Sequence, residues 1–251
     1  MNDMVLREDR GGMAVLTLNR PDKLNALSGD LFEALEKHLK AIAREKKTVG
    51  LVLLRGAGGN FSAGYDMAEI QMMLRAHAKP HYQFEVIERL ADLPQPVIAA
   101  VQGQCSTGAL ELALAADLIV ASESACFSDV YARWGLTPIW GMSLRLPMRV
   151  GTAKAREMIF TCRTYTGREA AHSHLANFCF PDDVFEAELQ RLADDILANS
   201  WYCNRVNKHT LIETDGLTLK EARALEMFKN EGVSPDALER VNSFLQRPRR
   251  G

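Results

Sequence analysis

The chain has 251 residues, 47% of them apolar and 25% charged, the composition of an ordinary globular protein with one large core or one core and a smaller appendage. Its 30 basic and 32 acidic side chains are interspersed and leave a net charge of −2, so it carries no electrostatic footprint for nucleic acid or an anionic membrane. Only the tail, with Arg247, Arg249 and Arg250, is locally basic.

The N-terminal stretch MNDMVLREDRGG has acids and no apolar core of signal-peptide length. No uncharged run makes a hydrophobic membrane span. The five cysteines (Cys105, Cys126, Cys162, Cys179, Cys203) are an odd number without CxxC spacing, which predicts reduced thiols and no metal site. A cytoplasmic protein is the expectation. Met13 to Leu18 (MAVLTL) then reads as a strand closed by the turn Asn19-Arg20-Pro21-Asp22. Ser28 caps a helix whose apolar positions Leu31, Leu35, Leu39 and Ile42 recur at helical spacing. Val49 to Leu54 is the next strand, followed by the glycine-rich loop Arg55 to Gly64 (RGAGGNFSAG) and a polar, Met-rich helical stretch.

After Leu93-Pro94-Gln95-Pro96 comes the strand VIAAV, then Thr107 to Ala116, apolar on nearly every face and therefore a buried helix. Asp117 to Ser122 (DLIVAS) is strand-like, and CFSDVYARWGLTPIWG leads into helical MSLRLPMRVG. The repeating order of strands and helices predicts an α/β fold with parallel strand pairs. From about Ala187 onward only helical patterns remain, through SPDALERVNSFLQR, so residues 1–190 are expected to form the core and 191–251 a helical region that packs on the core or on another subunit.

Glu111 is the only charged side chain between Val97 and Ala116. Burial disfavours a carboxylate and raises its pKa toward the range useful for proton transfer, which makes Glu111 a candidate general acid or base. The loop Arg55–Gly64 lacks the Lys-Ser/Thr of a P-loop and the GxGxxG spacing of a dinucleotide site, so its use is permissive backbone whose N–H groups can face a ligand. A second loop, Gly103 to Gly108 (GQCSTG), enters the helix of Glu111, where an outward N–H suits an oxyanion. One N–H from Gly108 and one from the turn Gly64-Tyr65-Asp66 would make a two-donor oxyanion hole.

The segments NRPDKLNAL, FSAGYDM, PVIAAVQGQCSTGALELALAADLIVAS and GLTP, in this order and spacing, resemble the enoyl-CoA hydratase/isomerase superfamily, also called the crotonase family. The resemblance covers nearly the whole chain. It implies a crotonase-like spiral of ββα units with a helical C-terminal region, homotrimers or dimers of trimers, and an acyl-CoA thioester as substrate, with no cofactor besides that CoA. The shared chemistry it implies is an enolate held by the N–H groups of Tyr65 and Gly108, with Glu111 at the position of the first of two hydratase glutamates.

The second glutamate is expected four residues before Gly135, where this chain has Tyr131. The acid that some isomerases of the family place after the loop proline is Ile139 here. A phenol donates a hydrogen bond but is a poor base near neutrality, so Tyr131 stands both as a catalytic hydroxyl and as a side chain that narrows the acyl pocket. Asp129 lies two residues away. The same resemblance assigns Lys23, Leu24, Ala26, Ala63, Asp66 and Met67 to the CoA and acyl wall, and Phe228, Phe244 and Arg247 to the adenine and phosphate end. His77 and His81, flanking Lys79-Pro80, and the pair His172 and His174 read as surface or structural positions. Enoyl-CoA hydration is the activity expected. A decarboxylase or isomerase of the same superfamily, or an acyl-CoA-binding protein without turnover, are the alternatives.

Overall fold

A computed structural model describes residues 3–76, 81–229 and 232–246. The main sheet has six strands in the order β1 (Val5–Arg10), β2 (Met13–Leu18), β3 (Leu51–Gly56), β4 (Val97–Val101), β6 (Leu118–Ser122) and β9 (Phe178–Phe180). Every pairing is parallel except β1 with β2, which form a hairpin over Gly11 and Gly12. A smaller sheet joins β5 (Gln104–Ser106), β7 (Cys126–Ser128) and β8 (Tyr165–Thr166). The chain is thus mixed α/β, a mainly parallel sheet wrapped by helices.

The central strands are continuous apolar runs, as strands covered on both faces must be. Their side chains alternate with period two between two cores. Ala14, Leu16, Val52, Leu54, Val97, Ala99 and Val101 face the larger one. It is built with α1 (Gly29–Ile42), α3 (His81–Ala91), α4 (Gly108–Leu114) and α5 (Met142–Thr161). Met13, Val15, Leu51, Leu53, Ile98 and Ala100 face the other, which α7 (Phe185–Leu197) closes with Phe185, Leu189 and Ala193. The expected division at residue 190 falls within α7, whose buried face belongs to the sheet.

Helix α1 begins at Ser28, whose side chain accepts from the Leu31 N–H at 3.3 Å. Helix α4 is buried at all seven positions, which is why its sequence shows no polar face. Helix α5 is broken at Gly151 (φ 76°, ψ 156°). The remaining helices are α2 (Met67–Ala76), α6 (Gly167–His172), α8 (Trp201–Thr214), α9 (Leu219–Lys229) and α10 (Ala237–Leu245).

The C-terminal helices attach where the parallel strands begin. The Trp201 ring lies on Gly12 and Gly50, where a methyl group would come within 2.5 and 2.4 Å of it, so neither position has room for a side chain. Lys208 of α8 donates to the Gln95 carbonyl at 3.1 Å and to Asp117 Oδ2 at 2.7 Å, just before β4 and β6. Arg240 of α10 reaches the Ala198 carbonyl at 2.9 Å. The opposite ends of β3 and β4 are left free of these helices, and the two glycine-bearing loops emerge there.

Candidate active site

The site is assembled by three short segments that cross-tie. Asn25, fully buried with φ 55°, donates to the carbonyls of Ala57 and Asn60 at 2.8 and 2.7 Å and accepts from the Arg20 N–H at 2.9 Å. Leu27 then pairs with the next segment: its N–H donates to the Gly64 carbonyl and its carbonyl accepts from Asp66, both at 2.8 Å. The same segment ladders onto the second loop, with Phe61 N–H on the Gln102 carbonyl and Ser62 N–H on the Gln104 carbonyl, both at 2.8 Å.

Gly64 (φ 103°) closes the arrangement. A methyl group there would lie 2.4 Å from Thr107 Oγ1 and 2.6 Å from the Ser106 carbonyl oxygen, so only glycine lets the two loops touch. Thr107 itself holds φ 50°, ψ −112°, a strained conformation fixed by its N–H bond to the Ser128 carbonyl at 2.8 Å. Among the described residues, the N–H groups of Tyr65 and Gly108, the residues that follow Gly64 and Thr107, donate to no protein acceptor.

Beside this junction lies a cavity of about 380 Å³. Lys23, Ala26, Ala63, Tyr65, Asp66, Met67 and Tyr131, all anticipated from the sequence, line it. Leu24 is not in the wall; its carbonyl fixes the Ala63 N–H at 2.9 Å. Ile70, Thr107, Val130, Trp134 and Leu136 complete the lining and were not anticipated. Ile70 lies one turn beyond Met67 on α2, a spacing that could have indicated it. Arg20 pairs with Asp66 at 3.1 Å, which leaves Lys23 as the basic side chain of the wall. The Tyr65 ring stands edge-on to Trp140 at 4.9 Å between centroids, and Trp140 meets Phe32 the same way at 5.3 Å. Burial first, and then the Glu69 charge, pushes the Tyr65 hydroxyl up to about 12.

Glu111 is fully buried in α4 and stands behind this wall, not in it. One carboxylate oxygen accepts from the Trp140 N–H at 2.8 Å and the Met142 N–H at 3.1 Å. The other accepts from the Tyr131 hydroxyl at 2.7 Å. Burial nevertheless raises its pKa, the three donors offsetting only part of the desolvation. Tyr131, 8% exposed, is raised as well, by burial and then by the Glu111 charge. Asp129 is buried too: one oxygen takes the Tyr131 N–H at 3.1 Å, the other has no hydrogen-bond partner among the described residues, and burial raises its pKa. It does not line the cavity. The N–H groups that hold Glu111 arrive from the start of α5, and no pattern in the sequence announces them.

The C-terminal candidates fall elsewhere. Phe228 on α9 and Phe244 on α10 are 80% and 72% exposed and do not line this cavity in the single chain, which leaves the CoA contact that the resemblance implies for them, sometimes from a neighbouring subunit, untouched. Arg247, His77, Lys79 and Pro80 lie outside the described residues. His81, His172 and His174 are exposed. Among the described residues no cluster of His, Cys, Asp or Glu could hold a metal ion.

A family model described as enoyl-CoA hydratase/isomerase matches residues 8–247. A probable enoyl-CoA hydratase of Rhizobium meliloti (strain 1021) is 32% identical over 245 residues, covering 97% of this chain and 95% of that protein. A probable peroxisomal enoyl-CoA hydratase of Arabidopsis thaliana is 29% identical over 250 residues, covering 97% of this chain and 93% of that protein. The crystal structure of an enoyl-CoA hydratase from Bacillus anthracis superposes with a TM-score of 0.88 at 30% identity, over 97% of this chain and 96% of that one.

Proposed function

The chain belongs to the enoyl-CoA hydratase/isomerase family, and from that premise we propose that it catalyses the reversible addition of water to a 2-enoyl-CoA through an enolate held by the N–H groups of Tyr65 and Gly108. The observation that carries this reading is the contact of Gly64 with Ser106 and Thr107, which sets two unengaged N–H groups beside one cavity. An oxyanion hole acts on charge that develops on the thioester oxygen only as water bonds to the β-carbon or, in reverse, as the α-carbon loses its proton. One such donor contributes about 3–4 kcal/mol in a well-studied protease. Glu111 supplies the acid/base function, since its raised pKa brings its titration closer to the working pH.

Lys23 in the wall suits a CoA phosphate, and the apolar remainder suits the pantetheine and acyl chain. The reading calls for no cofactor besides the CoA of the thioester. Five unpaired thiols are in keeping with a reducing, cytoplasmic setting. The exposed apolar side chains of α8 to α10, among them Leu211, Leu219, Met227, Phe228, Leu238 and Phe244, support association of copies, for which the family resemblance implies a homotrimer or a dimer of trimers.

A second reading is favoured by one observation, the phenol of Tyr131 where a second carboxylate is expected: loss of carbon dioxide generates the same enolate without a base. Calorimetry with 2-enoyl-CoA and carboxyacyl-CoA thioesters, each paired with a turnover assay, separates the possibilities. Hydration of the enoyl thioester is expected. Turnover of the carboxyacyl thioester alone would replace hydration by decarboxylation, and binding of both without turnover would leave a binding protein.

A further inference from the structure

If hydration is the reaction, its proton has to cross a wall that Glu111 does not reach. The Glu111 side chain has no exposure, one oxygen is occupied by the N–H groups of Trp140 and Met142, and among the described residues the other accepts only from the Tyr131 hydroxyl. Tyr131 lines the cavity, and its hydroxyl lies beside the Gly108 end of the oxyanion site, 3.4 Å from where a methyl group on Gly108 would stand. We propose that the Tyr131 hydroxyl is the group that touches the reacting atoms and that it relays the proton between substrate and the buried Glu111 carboxylate. This rests on the hydratase reading given above and adds the route of the proton.

The step balances with Glu111 ionised at the start. As the water oxygen bonds to the β-carbon, the carbon–carbon double-bond electrons shift to the thioester oxygen, held by the two N–H groups. The water proton passes to the Tyr131 oxygen while the Tyr131 proton passes to Glu111. The enolate then collapses: its α-carbon takes the proton of Tyr131, and Glu111 returns its proton to the phenol. Water has been added, and both side chains regain their starting states.

A stepwise alternative in which phenolate is the base fails on magnitude. An ordinary phenol is ionised about one time in a thousand at pH 7. Burial and the Glu111 charge make the Tyr131 phenolate rarer still, whereas a hydroxyl that accepts as it donates never becomes phenolate. The neighbouring ionisable groups leave the pair intact. Asp129 hydrogen-bonds to the Tyr131 backbone N–H and not to the relaying atoms, and its charge adds to the upward push on both Glu111 and Tyr131. Arg133 is directed to the Cys162 carbonyl at 2.7 Å, and Arg145 to Glu88 at 2.7 Å and the Trp140 carbonyl at 3.3 Å.

The test compares wild type, Tyr131→Phe, Glu111→Gln and the double variant on 2-butenoyl-CoA, with rates also taken in mixtures of light and heavy water. Each single variant is expected to lower kcat by about 100-fold or more with little change in KM, and the double variant to lose no more than the worse single one. The wild-type rate is expected to depend on deuterium fraction with the curvature of two protons in flight. Its acid limb is expected above the ordinary carboxylate range and to be absent from the residual rate of Glu111→Gln. Retention of kcat by Tyr131→Phe within about threefold, or losses that multiply in the double variant, would reduce Tyr131 to a packing residue. A linear deuterium dependence in the wild type would overturn the relay even if Tyr131→Phe did not fold. A wild type that binds the thioester and hydrates none of it would overturn the hydratase reading itself, a result distinct from all of these.

Discussion

Gly64 and Glu111 carry most of the chemistry at the scale of single residues. Gly64→Ala would place a methyl group 2.4 Å from Thr107 Oγ1 at a φ of 103°, and the Tyr65 N–H that follows would turn away from its partner donor. The expected result is a fall in kcat of about 100-fold with the fold retained by circular dichroism, the scale of losing one oxyanion donor. Glu111 makes a separate prediction about pH. Below the carboxylate range both folded and unfolded chains hold its proton. As pH rises the unfolded chain releases it first, near 4.3, while burial keeps the folded carboxyl protonated longer, so stability falls through that window. Denaturant titrations at several pH values should show a shallower fall for Glu111→Gln, with Asp129, raised in the same direction, accounting for what slope remains. The isolation of Glu111 in an apolar run made it legible from the sequence. Its place behind Tyr131 was not, because the N–H groups of Trp140 and Met142 that anchor it come from the start of α5, about thirty positions on.

Among elements, the central strands and α4 were readable because burial on every side leaves an unbroken apolar run. Strand β1 (VLREDR) was missed, since it lies on the sheet edge with five of its six residues at least partly accessible and needs no alternation to be stable. The strands β5, β7, β8 and β9 are two or three residues long, too short for a period to show. Helix α8 is seated at its start by the Trp201 ring against two glycines and further along by Lys208. Trp201→Ala is expected to cost about 2–3 kcal/mol in chemical denaturation, somewhat below the range for a fully buried tryptophan because the ring keeps some exposure. The cavity sits at the other end of the sheet, so KM for the thioester is expected to change little.

On the scale of the whole molecule, the division of labour is spatial. The loops at the carboxyl ends of β3 and β4 hold the cavity, and the helices of the C-terminal region hold the amino ends of the strands and present apolar side chains outward. Leu219, Phe228 and Phe244 stay 69%, 80% and 72% exposed in the single chain, a poor state for such side chains in water. Sedimentation at micromolar concentration is expected to give a multiple of three chains, and Phe228→Glu to shift it toward monomer. The family resemblance foresaw the fold, and most of the residues it assigned to the wall line one cavity, whereas Phe228 and Phe244 lie away from it in the single chain, because a sequence pattern does not say on which copy of the chain a helix contributes. Enolate stabilisation in this cavity during hydration is the step on which the proposed function turns. It is tested most directly by incubating wild-type protein with 2-butenoyl-CoA in heavy water and weighing the product. The expected product is 3-hydroxybutanoyl-CoA carrying one deuteron at the α-carbon, formed catalytically, whereas recovery of unchanged, unlabelled thioester from a protein shown to bind it would rule out enolate chemistry in this cavity.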